Sequence, residues 1–426
     1  MSIIGILLIF VFILLVLLRI PVAFALIIPS VAYVLLYDFS LFIVIQQIAS
    51  PIFSFNILTV PLFILLGTFM NHSGIAERIF NFAENLLGHV RGGLAYVNIF
   101  ASLFFSGMSG SAIADIGGIG NVLIESMGEK GYERDYSAAL TAASATTGPI
   151  FPPSIPLIIY GLLANVSILS MLLAGVLPAL LITIMLLLFT FLIGISGDFP
   201  PTSSRQSLRQ ILRSFLIAVP ALATPFLLIF GMLLGLFSPT EVAAVTVVYM
   251  IVINIVIYGD FDWRTIWKAS REAVQITSSV LFIVAGASLF AWVLTIEGVV
   301  GDISDLLLTF SGNPIMLMLM VNLMLVILGM FIDPLAALVL AVPLAVPPLV
   351  EAGFDPVHIG VVMVFNLMIG LLTPPMGLSV FVASDVSGAP VEEIIKKLWP
   401  YYIALFVALL IVSFVPWLSL FIPDLA

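Results

Sequence analysis

Two short stretches of this chain combine residues that a membrane helix ordinarily excludes. Residues 146–154 read TTGPIFPPS and residues 370–377 read GLLTPPMG. Adjacent prolines with glycine and threonine remove several backbone hydrogen bonds in a row, so the freed carbonyls need another partner. A bound cation is the economical one, and hard cations prefer oxygen ligands. Two further stretches are small or polar inside apolar surroundings: 106–111 (SGMSGS) and 329–334 (GMFIDP). They offer hydroxyls and carbonyls, and Asp333-Pro334 is an N-cap followed by a good first helical residue. Helix N-termini at such tips suit a carboxylate. The chemistry within reach is the holding of small cations and a carboxylate.

Asp115, Asp333 and Asp385 are the acids nearest these stretches, and an acid at membrane depth is a functional candidate. Each also has a plainer reading. Asp333 caps a helix, Asp115 complements an N-terminal dipole, and Asp385 is solvated near the cytoplasmic end of its span. His72, His89 and His358 lie near span ends without ligand spacing, so a histidine metal centre is not expected. The absence of cysteine removes disulfides, thiol nucleophiles and thiolate metal sites. No HExxH, GxSxG, GxGD or Walker A pattern occurs, so neither an enzyme nor an ATP-driven pump is expected.

The four stretches are two copies of one pair. Gly107-Met108 recurs 222 residues later as Gly329-Met330, and Pro152-Pro153 recurs as Pro374-Pro375. The interval between the two dipeptides is 45 residues in both copies. Between them Ala114 aligns with Ala336, Glu129 with Glu351, Gly131 with Gly353 and Gly148 with Gly370. Apolar composition makes Leu and Val coincide often, but it does not align Gly, Pro and Glu. Two like halves in a membrane chain are the usual plan of secondary transporters, whose site lies between the repeats.

The surroundings are membrane. The chain is 62% hydrophobic and 8% charged, with a mean hydropathy of +1.30. That composition specifies an all-α polytopic membrane protein. Apolar runs predict spans near 2–18, 21–37, 57–71, 136–166, 168–195, 215–237, 240–258, 273–296, 357–386 and 399–420. No basic residue precedes the first run and Arg19 follows it, so a retained span with its N-terminus outside is expected rather than a signal peptide. Arg205, Arg209 and Arg213 mark one cytoplasmic loop, and Arg264, Lys268 and Arg271 mark another. Two spans separate them, as parity requires, and both termini then face the periplasm. Residues 203–213 read as an amphipathic linker on the cytoplasmic surface. Trp263, Trp267 and Trp399 read as interfacial anchors. The net charge of -10 has two readings, adaptation to high salt and chance among 36 charged residues.

Residues 92–128 are too many for one crossing and slightly few for two, and their middle is polar; a re-entrant hairpin with a protein-buried tip explains both facts. Its twin is 313–350. The partners are broken helices over 136–166 and 357–386. The expected organisation is N-terminal scaffold spans (1–56), repeat 1 (57–196), a linker with inter-repeat scaffold spans (197–272) and repeat 2 (273–426). Residue 57 enters from outside and the region near Val274 from inside, so the repeats have inverted topology. Residues 77–87 and 301–310 are expected to lie as surface arms joining a static scaffold to a moving unit of about 92–166 and 313–386.

The runs SGMSGSAIADIGGIG (106–120), PIFPPSIP, GMFIDP and LLTPPMG resemble the large membrane subunit of TRAP transporters, over essentially the whole chain. The resemblance implies an elevator-type, sodium-driven importer in the bacterial inner membrane. It implies two partners, a small four-helix membrane subunit and a periplasmic substrate-binding protein. Because the chain opens on the large subunit's first span, the small partner is expected to be a separate polypeptide. Carried over from sodium-bound members, one sodium site would use Ser106, Ser109, Gly148, Phe151 and Pro153, mostly through carbonyls. The second would use Gly329, Gly370, Thr373 and Met376. Sialic-acid members carry an arginine after the segment matching Phe381-Val382-Ala383. Here Ser384-Asp385 follows, which argues against that substrate.

Ser111, Asp115, Thr147, Asp333, Ser384 and Asp385 are the candidate substrate contacts. With no Lys or Arg at tips or breaks, one carboxylate can rest on sodium, helix N-termini and hydroxyls. A dianion would meet uncompensated acids, whereas a zwitterion would use them. The expected solute is therefore a compact zwitterion of the ectoine type, ahead of a four-carbon dicarboxylate and sialic acid. The competing class is a passive ion channel, which needs a continuous polar path rather than paired mid-depth breaks. Nucleic acid is not an expected partner; the lipid bilayer is.

Overall fold

The computed structural model describes residues 3–195, 199–200, 206–259 and 262–426, with the backbone alone described at 56, 76, 106–109, 310 and 311. Every regular element among them is a helix, as a chain deprived of water must satisfy its peptide groups internally. The first half contains α1 (Ile3–Leu17), α2 (Val22–Leu36), α3 (Leu41–Ile52), α4 (Thr59–His72) and α5 (Ile75–Leu87). Then come α6 (Gly93–Ser109), α7 (Ala112–Gly117), α8 (Ile119–Glu129), α9 (Arg134–Ala145), α10 (Ile155–Leu163), α11 (Ile168–Ala174) and α12 (Val176–Ile195). The second half contains α13 (Leu208–Leu233), α14 (Pro239–Ile253), α15 (Trp263–Ile296), α16 (Val299–Ser311) and α17 (Pro314–Phe331). It continues with α18 (Pro334–Glu351), α19 (Pro356–Leu372), α20 (Leu378–Ser387) and α21 (Val391–Phe414), and a short α22 (Trp417–Leu420) follows.

The order arm, hairpin, broken helix occurs twice, as α5 to α10 and as α16 to α20. The chain is a polytopic membrane protein of two inverted-topology repeats, each with a re-entrant hairpin and a broken helix. Both arms begin at a left-handed glycine, Gly74 (φ 67°) and Gly298 (φ 71°). Such a φ costs glycine nothing and sets a sharp corner; α5 leaves α4 at 65°.

The helix contacts concentrate in two sets, which also touch each other: α4 and α5 lie against α6, α4 against α10 and α15 against α18. α17 packs on α19 and α6 on α9, while α9 also touches α20 and α21, so hairpins and breaks of both repeats form one body. In the other group α15 lies against α2, α3 and α4, α4 against α14, and α13 against α5 and α14. After α12, Phe199 seats its ring on Gly92 and Gly194. A Cβ at either glycine would stand 2.7–2.8 Å from that ring. Tyr132 and Tyr136 close the seat at ring-centroid distances of 5.7 and 5.5 Å.

Several expected boundaries are corrected. The returning arm of the first hairpin is broken into α7 and α8 at Gly118 (φ -89°, ψ -99°), where the Gly117-Gly118 pair tolerates a non-helical backbone; its twin α18 is continuous. Residues 208–213 are not a separate surface helix but the first turns of α13, started by a capping box at Ser207 and Gln210; 203–205 lie outside the described residues. α15 begins ten residues before 273, because Asp262 caps it by accepting from the Arg264 N–H at 2.9 Å and the early charges stay helical. α21 covers Val391–Phe414 rather than 399–420, since Pro416 ends it. α3 has no counterpart among the expected spans, as Gln46, Gln47 and Pro51 interrupt its apolar run.

Candidate functional site

The first break is enclosed. Residues 146–154 are all buried. Thr147 O accepts from the Ile150 and Phe151 N–H groups at 3.1 and 2.9 Å, which curls the chain into a turn. The Ser154 hydroxyl donates to Pro149 O and accepts from the Leu157 N–H at 3.1 Å, capping α10. The carbonyls of Gly148, Phe151 and Pro153 accept no hydrogen bond from any described residue. The tip of the first hairpin closes over them. Gly110 (φ 65°) is so near that a Cβ would lie 3.1 Å from the Ile155 nitrogen and 3.3 Å from Pro153 O. Behind the break, a Cβ at Gly175 would lie 2.0 Å from Ile150 O, so only glycine lets α11 and α12 back it. Ser106 and Ser109 end α6 beside this break; their side chains lie outside the described residues.

The second break is more open: Pro374, Pro375 and Met376 are exposed and Thr373 half-buried. Gly370 O accepts from the Thr373 N–H at 2.9 Å, which leaves it one lone pair. The Thr373 hydroxyl donates to Ile369 O at 2.7 Å and keeps its lone pairs. Thr373, Pro374, Pro375 and Met376 carbonyls accept nothing from described residues. α17 ends against this break. A Cβ on Gly370 would fall 2.7 Å from the Gly329 Cα and carbonyl carbon, so the two backbones touch. Gly329 belongs to the last turn of α17, whose carbonyls lack helical partners. Break carbonyls that accept nothing from described residues, facing a hairpin tip in each half, fit a small hard cation.

Buried polar clasps hold each hairpin to its break. The Asn98 amide donates to Thr141 Oγ1 at 2.7 Å, and the Ser144 hydroxyl donates to Asn98 Oδ1 at 2.9 Å. In the second half the Asn366 amide donates to Asn322 Oδ1 at 2.9 Å, and the Asn322 amide donates to Ser413 Oγ at 2.9 Å. Positions 144 and 366 correspond under the 222-residue offset. Sequence reasoning missed these clasps; the signal was an Asn or Ser one turn before each break glycine.

Both tips and the first break meet in one cavity of about 100 Å³. Its walls include Ser111, Pro149, Ile155 and Asp333, together with Met368 and Leu371 of α19. Ile276 and Val280 of α15 close it from the other group of helices. Among the described residues, no Lys or Arg lines it. Ser111 and Asp333 are equivalent under the repeat and play the same local part. Ser111 caps α7, accepting from the Ala114 N–H at 3.4 Å, and Asp333 caps α18, accepting from the Leu335 N–H at 3.0 Å. Asp115 is buried in α7 and Thr147 in the first break, neither lining the cavity. Ser384 donates to Ala389 O at 2.7 Å, closing the end of α20, and Asp385 is exposed beside it; neither reaches the cavity. The apolar lining at 276 and 280 carried no sequence signal, being two aliphatics in a long apolar helix.

Residues 9–418 match the family described as "Tripartite ATP-independent periplasmic transporter, DctM component". The sialic acid TRAP transporter large permease protein SiaM of Vibrio cholerae is 41% identical over 409 residues, 95% of each chain. The C4-dicarboxylate TRAP transporter large permease protein DctM of Pseudomonas aeruginosa is 35% identical over 87% of this chain and 86% of its own. Among solved structures, the Alcanivorax borkumensis YdaH transporter, described as having an unusual topology, superimposes with a TM-score of 0.56 at 17% identity. The match covers 90% of this chain and 88% of that one, a likeness of fold alone.

Proposed function

The chain belongs to the DctM component family of tripartite ATP-independent periplasmic transporters, and from that premise we propose that it imports a small carboxylate-bearing solute by sodium symport. The observation that carries this reading is the doubled contact of a hairpin tip with a broken helix, both tips opening on one cavity. Sodium enters as a coupling ion. The carbonyls of Gly148, Phe151 and Pro153, with Ser106 and Ser109, would hold one ion. Gly329, Gly370, Thr373 and Met376 would hold the other. Each ion joins a tip to a break, so binding would close the cavity wall from both halves and order the seat for a carboxylate.

The elevator motion is proposed from the division of the cavity. One body, roughly 92–166 and 313–386, supplies tips and breaks; α15 supplies only Ile276 and Val280 from the other. Sliding the first body past α15, on arms α5 and α16, would carry solute and ions together. The working assembly would add a small four-helix membrane subunit and a periplasmic binding protein, in the bacterial inner membrane, with both termini periplasmic.

For the solute, Ser111 and Asp333 are the proposed contacts; Asp115, Thr147, Ser384 and Asp385 lie away from the cavity and are not. A lining with one acid and no cation, in a cavity of about 100 Å³, supports a compact zwitterion of the ectoine type. The 41% identity to a sialic acid permease makes sialic acid the second reading, and the C4-dicarboxylate relative adds the third. Reconstitution with the small subunit and binding protein, and uptake of ectoine, sialic acid and succinate under a sodium gradient, tests both parts. Strong uptake of sialic acid or succinate with none of ectoine overturns the solute. Conductance without saturation or gradient dependence overturns the carrier in favour of a channel.

A further inference from the structure

The thirteen Lys and Arg residues are not distributed evenly in their bonding. On the body of hairpins, breaks and α21, Lys130 faces Glu84 at 3.6 Å and Lys396 pairs with Glu393 at 2.7 Å. Lys397 pairs with Glu133, and Arg134 donates to Ser387 O at 3.4 Å. Arg91 is the exception. On the other body, Arg209, Arg213, Arg264, Lys268 and Arg271 are all exposed and none forms an ion pair with a described residue. The acids nearby are otherwise engaged: Asp262 caps α15, and Glu272 binds His72 at 2.7 Å.

These five cations lie on the first turns of two spanning helices. α15 has 34 residues, about 51 Å of helix against a hydrocarbon core of about 30 Å, so its early turns stand among headgroups. Trp263 and Trp267 are 68% and 67% exposed on the same turns, one helical turn apart. Their rings mark the depth at which the neighbouring cations sit. Arg209 and Arg264 also oppose the positive end of their own helix. Neither α13 nor α15 has an acid in its first turn, whereas α5, α9, α14, α16 and α21 all do. Cations placed against the dipole, exposed and unpaired, call for an anion from outside the chain.

We propose that the first turns of α13 and of α15 bind anionic phospholipid headgroups, which hold the scaffold in its leaflet. The hairpin body, where Lys396 and Lys397 are ion-paired within the body and Lys130 faces Glu84 of α5, offers fewer unpaired cations to headgroups as it slides. The lipid binding stands on its own; only the division into fixed and moving bodies rests on the transport reading.

The test is native mass spectrometry of the full chain after exchange in micelles holding equal phosphatidylglycerol and phosphatidylcholine of matched acyl chains. Wild type retains phosphatidylglycerol in preference. Each Gln substitution among the five lowers that preference about fivefold, in line with the worth of one basic residue near an anionic surface. Arg264→Gln with Lys268→Gln leaves three cations to keep the topology and still gives a clear drop. Lys substituted at the four arginines keeps the preference, and added salt weakens it. Lys396→Gln with Lys397→Gln leaves it unchanged. No preference in the wild-type chain, as for a face that takes an acidic protein segment instead, overturns the proposal. So does an equal loss on substituting Lys396 and Lys397.

Discussion

Gly370→Ala is the sharpest perturbation the site offers. Its Cβ would lie 2.7 Å from the Gly329 Cα and carbonyl carbon and from Val326 O, all backbone atoms that cannot swing aside. Ordinary contact begins near 3.4 Å, so α17 and α19 must part by about 0.7 Å. Overpacking of this kind costs about 1–3 kcal/mol. The same displacement separates the Gly329 and Gly370 carbonyls that would share one ion. If the cost falls on the sodium-bound state, half-saturating sodium rises about 5- to 150-fold, at 1.4 kcal/mol per decade. Sodium titration of solute uptake in proteoliposomes reads this, and the Hill coefficient should fall toward one as the second ion is lost. Gly301→Ala, with no heavy atom within 4 Å of the new methyl, is the neutral control. Thermal unfolding in detergent separates a sodium defect from a loss of stability. A folded Gly370→Ala protein with wild-type sodium dependence refutes the assignment of ion binding to this contact.

Three further outcomes are expected. Gly175→Ala, which would drive a methyl to 2.0 Å from Ile150 O, should damage the first site through its backing and likewise raise the sodium requirement. Thr373→Ala should raise half-saturating sodium about tenfold, the worth of one oxygen ligand near 1.4 kcal/mol, with Thr373→Ser restoring it; equal loss in both variants would point to packing instead. Asp333→Ala should cost about 1 kcal/mol of stability through the lost cap of α18, while Asp333→Asn keeps the cap and moves solute preference toward simple monocarboxylates. An unchanged preference order in Asp333→Asn counts against Asp333 facing a cationic group. Cysteines at Ile113 and Val280, which both line the cavity from different helices, should crosslink in only one of two transport states; identical crosslinking with and without sodium and solute argues against a sliding body.

Much of this architecture was legible because glycine and proline announce backbone events. The 222-residue repeat drew attention to two polar tips and two Pro–Pro breaks, each of which has few structural solutions in an apolar run. Element ends were less legible. The charges of residues 264–271 read as a loop, yet Asp262 starts α15 ahead of them, and a helix emerging from a bilayer tolerates charge on its first turns. The broken return arm at Gly118 was hidden because its twin carries no glycine pair there. The seat of Phe199 on Gly92 and Gly194 joins residues about a hundred positions apart, a contact no local pattern encodes. At the site, the sequence singled out the tips and breaks but not which acids share a cavity. Asp115 and Asp333 look alike as membrane acids, and only the packing puts Asp333 in the cavity wall and leaves Asp115 out of it.

The account turns on two ions coupled to one solute, and the direct measurement is the sodium-to-solute flux ratio. Paired radiolabelled sodium and solute uptake, in proteoliposomes with the small subunit and binding protein at clamped membrane potential, gives it without assuming a kinetic model. The account predicts at least two sodium ions per solute, falling toward one in Gly370→Ala. Full solute uptake in sodium-free buffer under a proton gradient, or a ratio of one in the wild-type chain, contradicts it.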